Sequence, residues 1–145
     1  MSILERFMAY AQDFERTFHD DDWSRLAQYF APDATYEVRN VQTPCVLRGR
    51  EAIFRGIKKS LDGFDRKLTR EVGVAAPPVV DGDTITVDWV GTYSRPGAPT
   101  LTVRGRSEAR YAGDAIVSLM DTFEPDPAIG AWLEAHGRDL ALAYV

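Results

Sequence analysis

A chain of 145 residues is long enough for one domain with one core, and 45% apolar with 27% charged residues is the profile of an ordinary globule. Seventeen Lys and Arg against twenty-two Asp and Glu leave a net charge of -5, which argues against nucleic acid or an anionic membrane surface as partner. One cysteine, Cys45, excludes an internal disulfide, and two distant histidines, His19 and His136, exclude a His-rich metal site. No apolar run approaches the ~20 residues that span a bilayer. The opening Met1 to Arg6 has no basic region followed by an apolar stretch, so residence in the cytoplasm is expected. No repeat, low-complexity segment or linker divides the chain, and one domain over residues 1–145 is expected.

Ser2-Ile3-Leu4-Glu5 has the form of a capping box, in which a hydroxyl and a carboxylate satisfy the first free amides of a helix. Ile3, Leu4, Phe7, Met8, Ala11, Phe14 and Phe18 then recur at helical spacing, up to the acidic run His19-Asp20-Asp21-Asp22. A short second helix from Trp23 to about Phe30 should stop before Pro32. Residues 34–39 alternate as a strand, and an irregular stretch through Pro44 leads to Leu47-Arg48-Gly49. Ile53, Phe54, Ile57 and Leu61 place a third helix before Gly63.

From there the pattern changes to strands at roughly 66–76, 84–94, 100–112 and 115–124, separated by Asp81-Gly82, Pro96-Gly97 and Gly113-Asp114. Turns this short join antiparallel neighbours. Asp126-Pro127 opens a last helix whose apolar side carries Ile129, Trp132, Leu133 and Leu140. The expected architecture is α+β: a curved antiparallel sheet wrapped around the N-terminal helices as a half-open cone.

Three segments carry a resemblance: Phe30-Ala31-Pro32-Asp33-Ala34-Thr35-Tyr36, Leu47-Arg48-Gly49-Arg50-Glu51-Ala52-Ile53 and Ile116-Val117-Ser118-Leu119-Met120-Asp121-Thr122-Phe123. In this order they resemble the nuclear-transport-factor-2-like superfamily and its SnoaL-like branch. That branch includes polyketide cyclases, ketosteroid isomerases, limonene-epoxide hydrolases and scytalone dehydratases. The resemblance covers nearly the whole chain and implies the conical fold. It also implies a homodimer paired through the sheet face and a cofactor-free proton transfer of cyclase, isomerase or dehydratase type on a small apolar molecule. Because this scaffold carries many chemistries, a non-catalytic ligand-binding or dimeric association domain is the alternative.

Asp121 is the leading candidate for chemistry. Val117, Leu119, Asp121 and Phe123 share one strand face, apolar except for the carboxylate, so Asp121 should point inward. Lost hydration raises a carboxyl pKa and can poise it for acid/base work. The alternative is a buried carboxylate that only holds structure. The resemblance matches Asp121 to the catalytic aspartate of polyketide cyclases and limonene-epoxide hydrolases.

Asp88 is the second candidate, on a strand both of whose faces are half apolar, so that periodicity leaves its side open. The resemblance to epoxide hydrolases implies a pocket aspartate there. Tyr36 could bond a ligand or Asp121, or simply pack. Phe14, Val38, Phe54, Leu119 and Phe123 are expected to line an apolar pocket. No cofactor or metal site is called for by any motif.

Two departures narrow the resemblance. The tyrosine, base and acid positions of ketosteroid isomerases match Phe14, Val38 and Ser107, so that mechanism is not implied. The epoxide-hydrolase pattern keeps Tyr36 but has Val38 for its Asn and Thr86 for its Arg. His19 in its acidic loop reads as a cap or ion-pair partner. Arg104, Arg106, Glu108 and Arg110 read as a solvated or intersubunit face, with a basic wall for an anionic ligand as the alternative. Cys45 has no neighbouring histidine to activate it.

Overall fold

The computed structural model describes residues 1–145. Helix α1 spans Ile3–Asp20 and starts at the expected box, with the Glu5 amide donating to Ser2 Oγ at 3.1 Å and the Ser2 amide to Glu5 Oε1 at 3.3 Å. It ends at Asp21, whose left-handed backbone (φ 61°) returns its amide to the Thr17 carbonyl at 2.8 Å. Tyr10, three residues after Phe7 and four before Phe14, is buried on the same face of this helix, whereas Leu4 is exposed.

Trp23–Tyr29 is a 3-10 helix rather than an α-helix. Its three-residue repeat stacks Leu26 and Tyr29 on one buried side. Strand β1 begins at Phe30, ahead of Pro32, and runs to Arg39. A register irregularity between Phe30 and Thr35 leaves the exposed Pro32 free of the ladder. Directly after the stretch expected to be irregular through Pro44 comes β2, Cys45–Arg48, paired antiparallel with β1. Its burial alternates, but Cys45, Val46 and Leu47 are all apolar, so the sequence shows no alternation.

Helix α2 spans Arg50–Gly63 and buries Ile53, Ile57 and Leu61. The segment expected to be a strand from residue 66 instead opens as a 3-10 turn at Asp65–Lys67, and β3 runs only Thr69–Val74. The strands that follow are β4 (Val79–Asp81), β5 (Thr84–Ser94), β6 (Leu101–Ala112) and β7 (Ala115–Phe123). Helix α3, Pro127–His136, is capped by Asp126, whose carboxylate accepts the Ala128 amide at 2.9 Å.

The strands form one sheet in the order β2-β1-β7-β6-β5-β3, with β4 also on β5. The β5-β6-β7 meander is antiparallel as expected, while β1 joins β7 in parallel. That pairing is open to it because a helix and several strands separate the two in sequence, length enough for a crossover. A register shift between Arg110 and Tyr111 sets Tyr111 opposite Ile116. Ile116 is therefore the buried residue at the start of β7, and Leu119, Asp121 and Phe123 continue inward.

The inner face of the curved sheet and the helices enclose a single core. Leu26, Ile53, Ile85 and Ile116 are fully buried in it, each worth ~1.5–3 kcal/mol of hydrophobic transfer. Gly105 has a specific role where β6 passes Trp89. A Cβ there would lie 2.2 Å from the indole, so the ring can lie flat only across a glycine. The indole then meets Phe123 edge-on at 5.3 Å. No helix is long and apolar enough to cross a membrane.

Candidate functional site

Between the inner sheet face and helices α1 and α2 lies a cavity of about 430 Å³. It is lined mostly by apolar side chains and opens between α1 and β3, past Gln12 and the exposed Val72 and Val74. Of the five residues expected to line it, Phe14, Leu119 and Phe123 do. Val38 and Phe54 do not. Val38 points inward but is sealed in the core, and Phe54 packs edge-on against Phe30 at 5.5 Å and beside Trp23 at 5.8 Å. Both follow the expected periodicity, but periodicity separates inside from outside and cannot separate cavity wall from filled core.

Asp121 lies on the cavity wall. Tyr36 Oη donates to its Oδ2 at 2.5 Å and Ser107 Oγ to its Oδ1 at 2.5 Å. Burial raises the Asp121 pKa above its ordinary value of 3.8, and the two hydroxyl donors oppose the rise only in part. No basic side chain is among the groups that shift it. Tyr36 in turn is held well above its ordinary pKa, by burial first and then by the charge of Asp121, so it remains a donor. Ser107 faces Asp121 because the two are direct partners in the β6–β7 register.

The structure does not bring Asp88 to this site. On β5 the inward positions are Ile85, Val87 and Tyr93, so Asp88 falls on the outer face. There its register partner is Arg106, whose Nε donates to Oδ1 at 2.7 Å and Nη2 to Oδ2 at 3.3 Å. This hydrogen bonding lowers the Asp88 pKa, the opposite of a poised acid. Arg104 and Arg110 share that outer face, away from the cavity. His19 is exposed beside Phe18, and burial raises the Cys45 thiol pKa, which leaves it a weak nucleophile.

A second polar cluster on the cavity wall escaped the sequence reading. Arg70 Nε donates to Asp65 Oδ2 at 2.9 Å, and its Nη1 donates to Glu15 Oε2 at 2.8 Å and Oε1 at 3.1 Å. The Arg70 and Asp65 side chains are only 8% and 10% exposed. Tyr93 Oη also reaches Asp65, at 3.4 Å, and the guanidinium stacks on Phe18 at 4.6 Å. Burial dominates at Asp65 and raises its pKa despite Arg70; at Arg70 burial pulls the pKa down but Glu15 and Asp65 together outweigh it, so the guanidinium is held more firmly protonated. Arg66, Lys67 and Arg70 look alike in the sequence. Only Arg70, on β3, reaches the cavity wall, while Arg66 and Lys67 in the preceding 3-10 turn do not.

The family described as SnoaL-like domain matches residues 11–119. No curated relative matches the chain. Among solved structures, TerC co-crystallized with polyporic acid superposes with a TM-score of 0.68 at 15% identity, covering 90% of this chain and 97% of that one. An NTF2-like protein from Anabaena variabilis has a TM-score of 0.66 at 14% identity, covering 85% and 90% of the two chains. A protein with a ketosteroid isomerase-like fold from Catenulispora acidiphila, in complex with trimethylamine, has a TM-score of 0.58 at 24% identity, covering 77% and 82%. Similarity at these identities establishes a shared fold.

Proposed function

The chain belongs to the SnoaL-like domain family, and from that membership and the cavity's chemistry we propose that it is a cofactor-free enzyme that moves protons on a small, largely apolar molecule. The observation that carries this reading is Asp121. It is a carboxyl group on an apolar cavity wall, with a raised pKa and no cation to hold it charged. Such a group can take a proton from a bound ligand and return it, as isomerase, cyclase and dehydratase steps require. Tyr36 and Ser107 orient the carboxylate through their hydrogen bonds.

The test is exchange of activated C–H hydrogens with D2O, followed by NMR on simple enolisable ketones such as 2-tetralone. The wild type is expected to accelerate exchange above buffer. Asp121→Asn is expected to reduce the accelerated rate by about 10²–10⁴-fold while apolar ligands still bind. Exchange that is undiminished in the variant would remove Asp121 from the chemistry.

A second reading is ligand binding without turnover. It is favoured by the fact that both Asp121 oxygens already have donors within the chain. Solved proteins of this fold hold ligands as unlike as polyporic acid and trimethylamine. Saturable binding with no exchange on any ketone would select it.

Pairing of two chains through the outer sheet face belongs to the same proposal. That face carries Arg104 and Arg110 beside Glu37 and Glu108, a mixture of signs that a two-fold axis can set opposite itself. Light scattering at micromolar concentration is expected to give twice the chain mass, and a monomer there would overturn the pairing.

A further inference from the structure

The nine residues after α3 form no regular secondary structure, yet they reach the cavity. Leu142 and Tyr144 are part of its wall, and Tyr144 is buried. The surface that receives them is a groove on α2. Gly56, Ser60 and Gly63 are spaced four and three residues apart, so they share one helix face. The Ala141 amide donates to the Gly63 carbonyl at 2.9 Å. A Cβ at Gly63 would lie 2.5 Å from the Ala141 carbonyl oxygen, and one at Gly56 would lie 2.8 Å from that of Tyr144. These are backbone atoms, so any side chain at either glycine has to push the segment off the helix.

Seated this way, the Tyr144 ring meets Tyr36 edge-on at 5.9 Å. Burial, and then the charge of Asp121 with a smaller effect from Asp65, holds its pKa well above the ordinary phenol value. Ser60 and Tyr36 lie beside its oxygen and oppose that rise. The hydroxyl is therefore a permanent donor. The carboxylates at the cavity take their phenolic protons from other residues, Asp121 from Tyr36 and Asp65 from Tyr93. Neither carboxylate takes a proton from Tyr144, whose side chain forms part of the cavity wall.

We infer that Tyr144 is a specificity-determining residue of the ligand site, donating a hydrogen bond to an oxygen acceptor on the ligand, and that the Gly56–Ser60–Gly63 groove exists to hold it there. The ligand class is then a compact apolar molecule bearing a carbonyl or similar acceptor close to Asp121. This rests on the reading of the cavity as a ligand site and is separable from the assignment of Asp121 as acid and base.

The test uses a matched pair of probes of the same shape, 2-acetylnaphthalene and 2-isopropylnaphthalene, with binding followed by quenching of tryptophan fluorescence. The quantity read is the ratio of the two dissociation constants, which a merely structural loss would leave unchanged. Tyr144→Phe is expected to shift the ratio about tenfold against the ketone, the worth of one hydrogen bond. Gly63→Ala, checked for a native circular dichroism spectrum, is expected to shift it the same way although Gly63 makes no ligand contact.

An unchanged ratio in Tyr144→Phe overturns the inference, as does an unchanged ratio in Gly63→Ala. If Asp121→Asn alone shifts the ratio, Asp121 reads the oxygen, and the inference fails while proton transfer by Asp121 survives. If neither probe saturates the wild type, the inference falls together with the ligand site.

Discussion

Replacing Arg70 with methionine is expected to destabilise the fold by about 3–5 kcal/mol near neutral pH, read from urea unfolding. The cause is the carboxylate left behind. Asp65 is nearly as buried as Arg70 and has no other cation, so the variant must either hold an unpaired charge or bind a proton. Asp65 already sits above its ordinary pKa of 3.8, because burial outweighs Arg70, and losing Arg70 raises it further. The sign follows. A carboxyl group with a raised folded-state pKa contributes most below its unfolded value and loses that contribution as pH rises through the folded value.

The loss caused by Arg70→Met should therefore be largest at pH 7–8 and shrink toward pH 4. Adding Asp65→Leu should recover most of it, since an apolar pair can replace a buried ion pair. A pH-independent loss that Asp65→Leu does not relieve would show that packing of the Arg70 stem, and not the charge, is what matters.

Replacing Asp121 with asparagine is expected to make the protein more stable at pH 7 even as it removes exchange activity. Asp121 is raised by burial and lacks a cation, so its charged form at neutral pH burdens the folded state relative to the unfolded one. Asparagine accepts from Tyr36 and carries no charge to desolvate. By the same sign rule, the gap between variant and wild type should close as pH falls below the ordinary carboxyl value of 3.8, where both side chains are neutral. Thermal unfolding across pH 3–8 measures this. A variant less stable than the wild type at pH 7 would mean that the Asp121 charge is held for structure, and the case for catalysis would weaken. A site that lowers stability for the sake of a poised group is the pattern expected of working chemistry.

Much of the fold was readable locally. The capping box at Ser2–Glu5, the Asp126-Pro127 helix start and the turns after β4, β5 and β6 each act over a few residues, and each lies where the pattern places it. Asp121 was legible because Leu119 and Phe123, apolar and of the same parity, pointed it inward; Val117, counted with them, falls at the register shift, where Ile116 is buried in its place. Asp88 was not, because both faces of β5 carry apolar residues and only pairing with β6 decides which is covered. Trp23–Tyr29 took the 3-10 form rather than the expected α-helix, and residues 65–67 a turn rather than the expected strand.

By itself the sequence determined the class of fold, the single core and the inward Asp121, since these follow from alternation, helical period and turn chemistry. Three things were decided only by tertiary structure: the parallel pairing of β1 with β7, the pairing of Arg70 with Asp65 and Glu15, and the placing of Tyr144 in the cavity. Glu15, Tyr144 and β7 lie dozens of residues along the chain from the partners they meet, and Asp65 turns toward Arg70 only within the closed cone. Local pattern encodes which side of an element is apolar. Which distant side chain meets it there is set by how the cone closes, and the chemistry of this cavity depends on that closure.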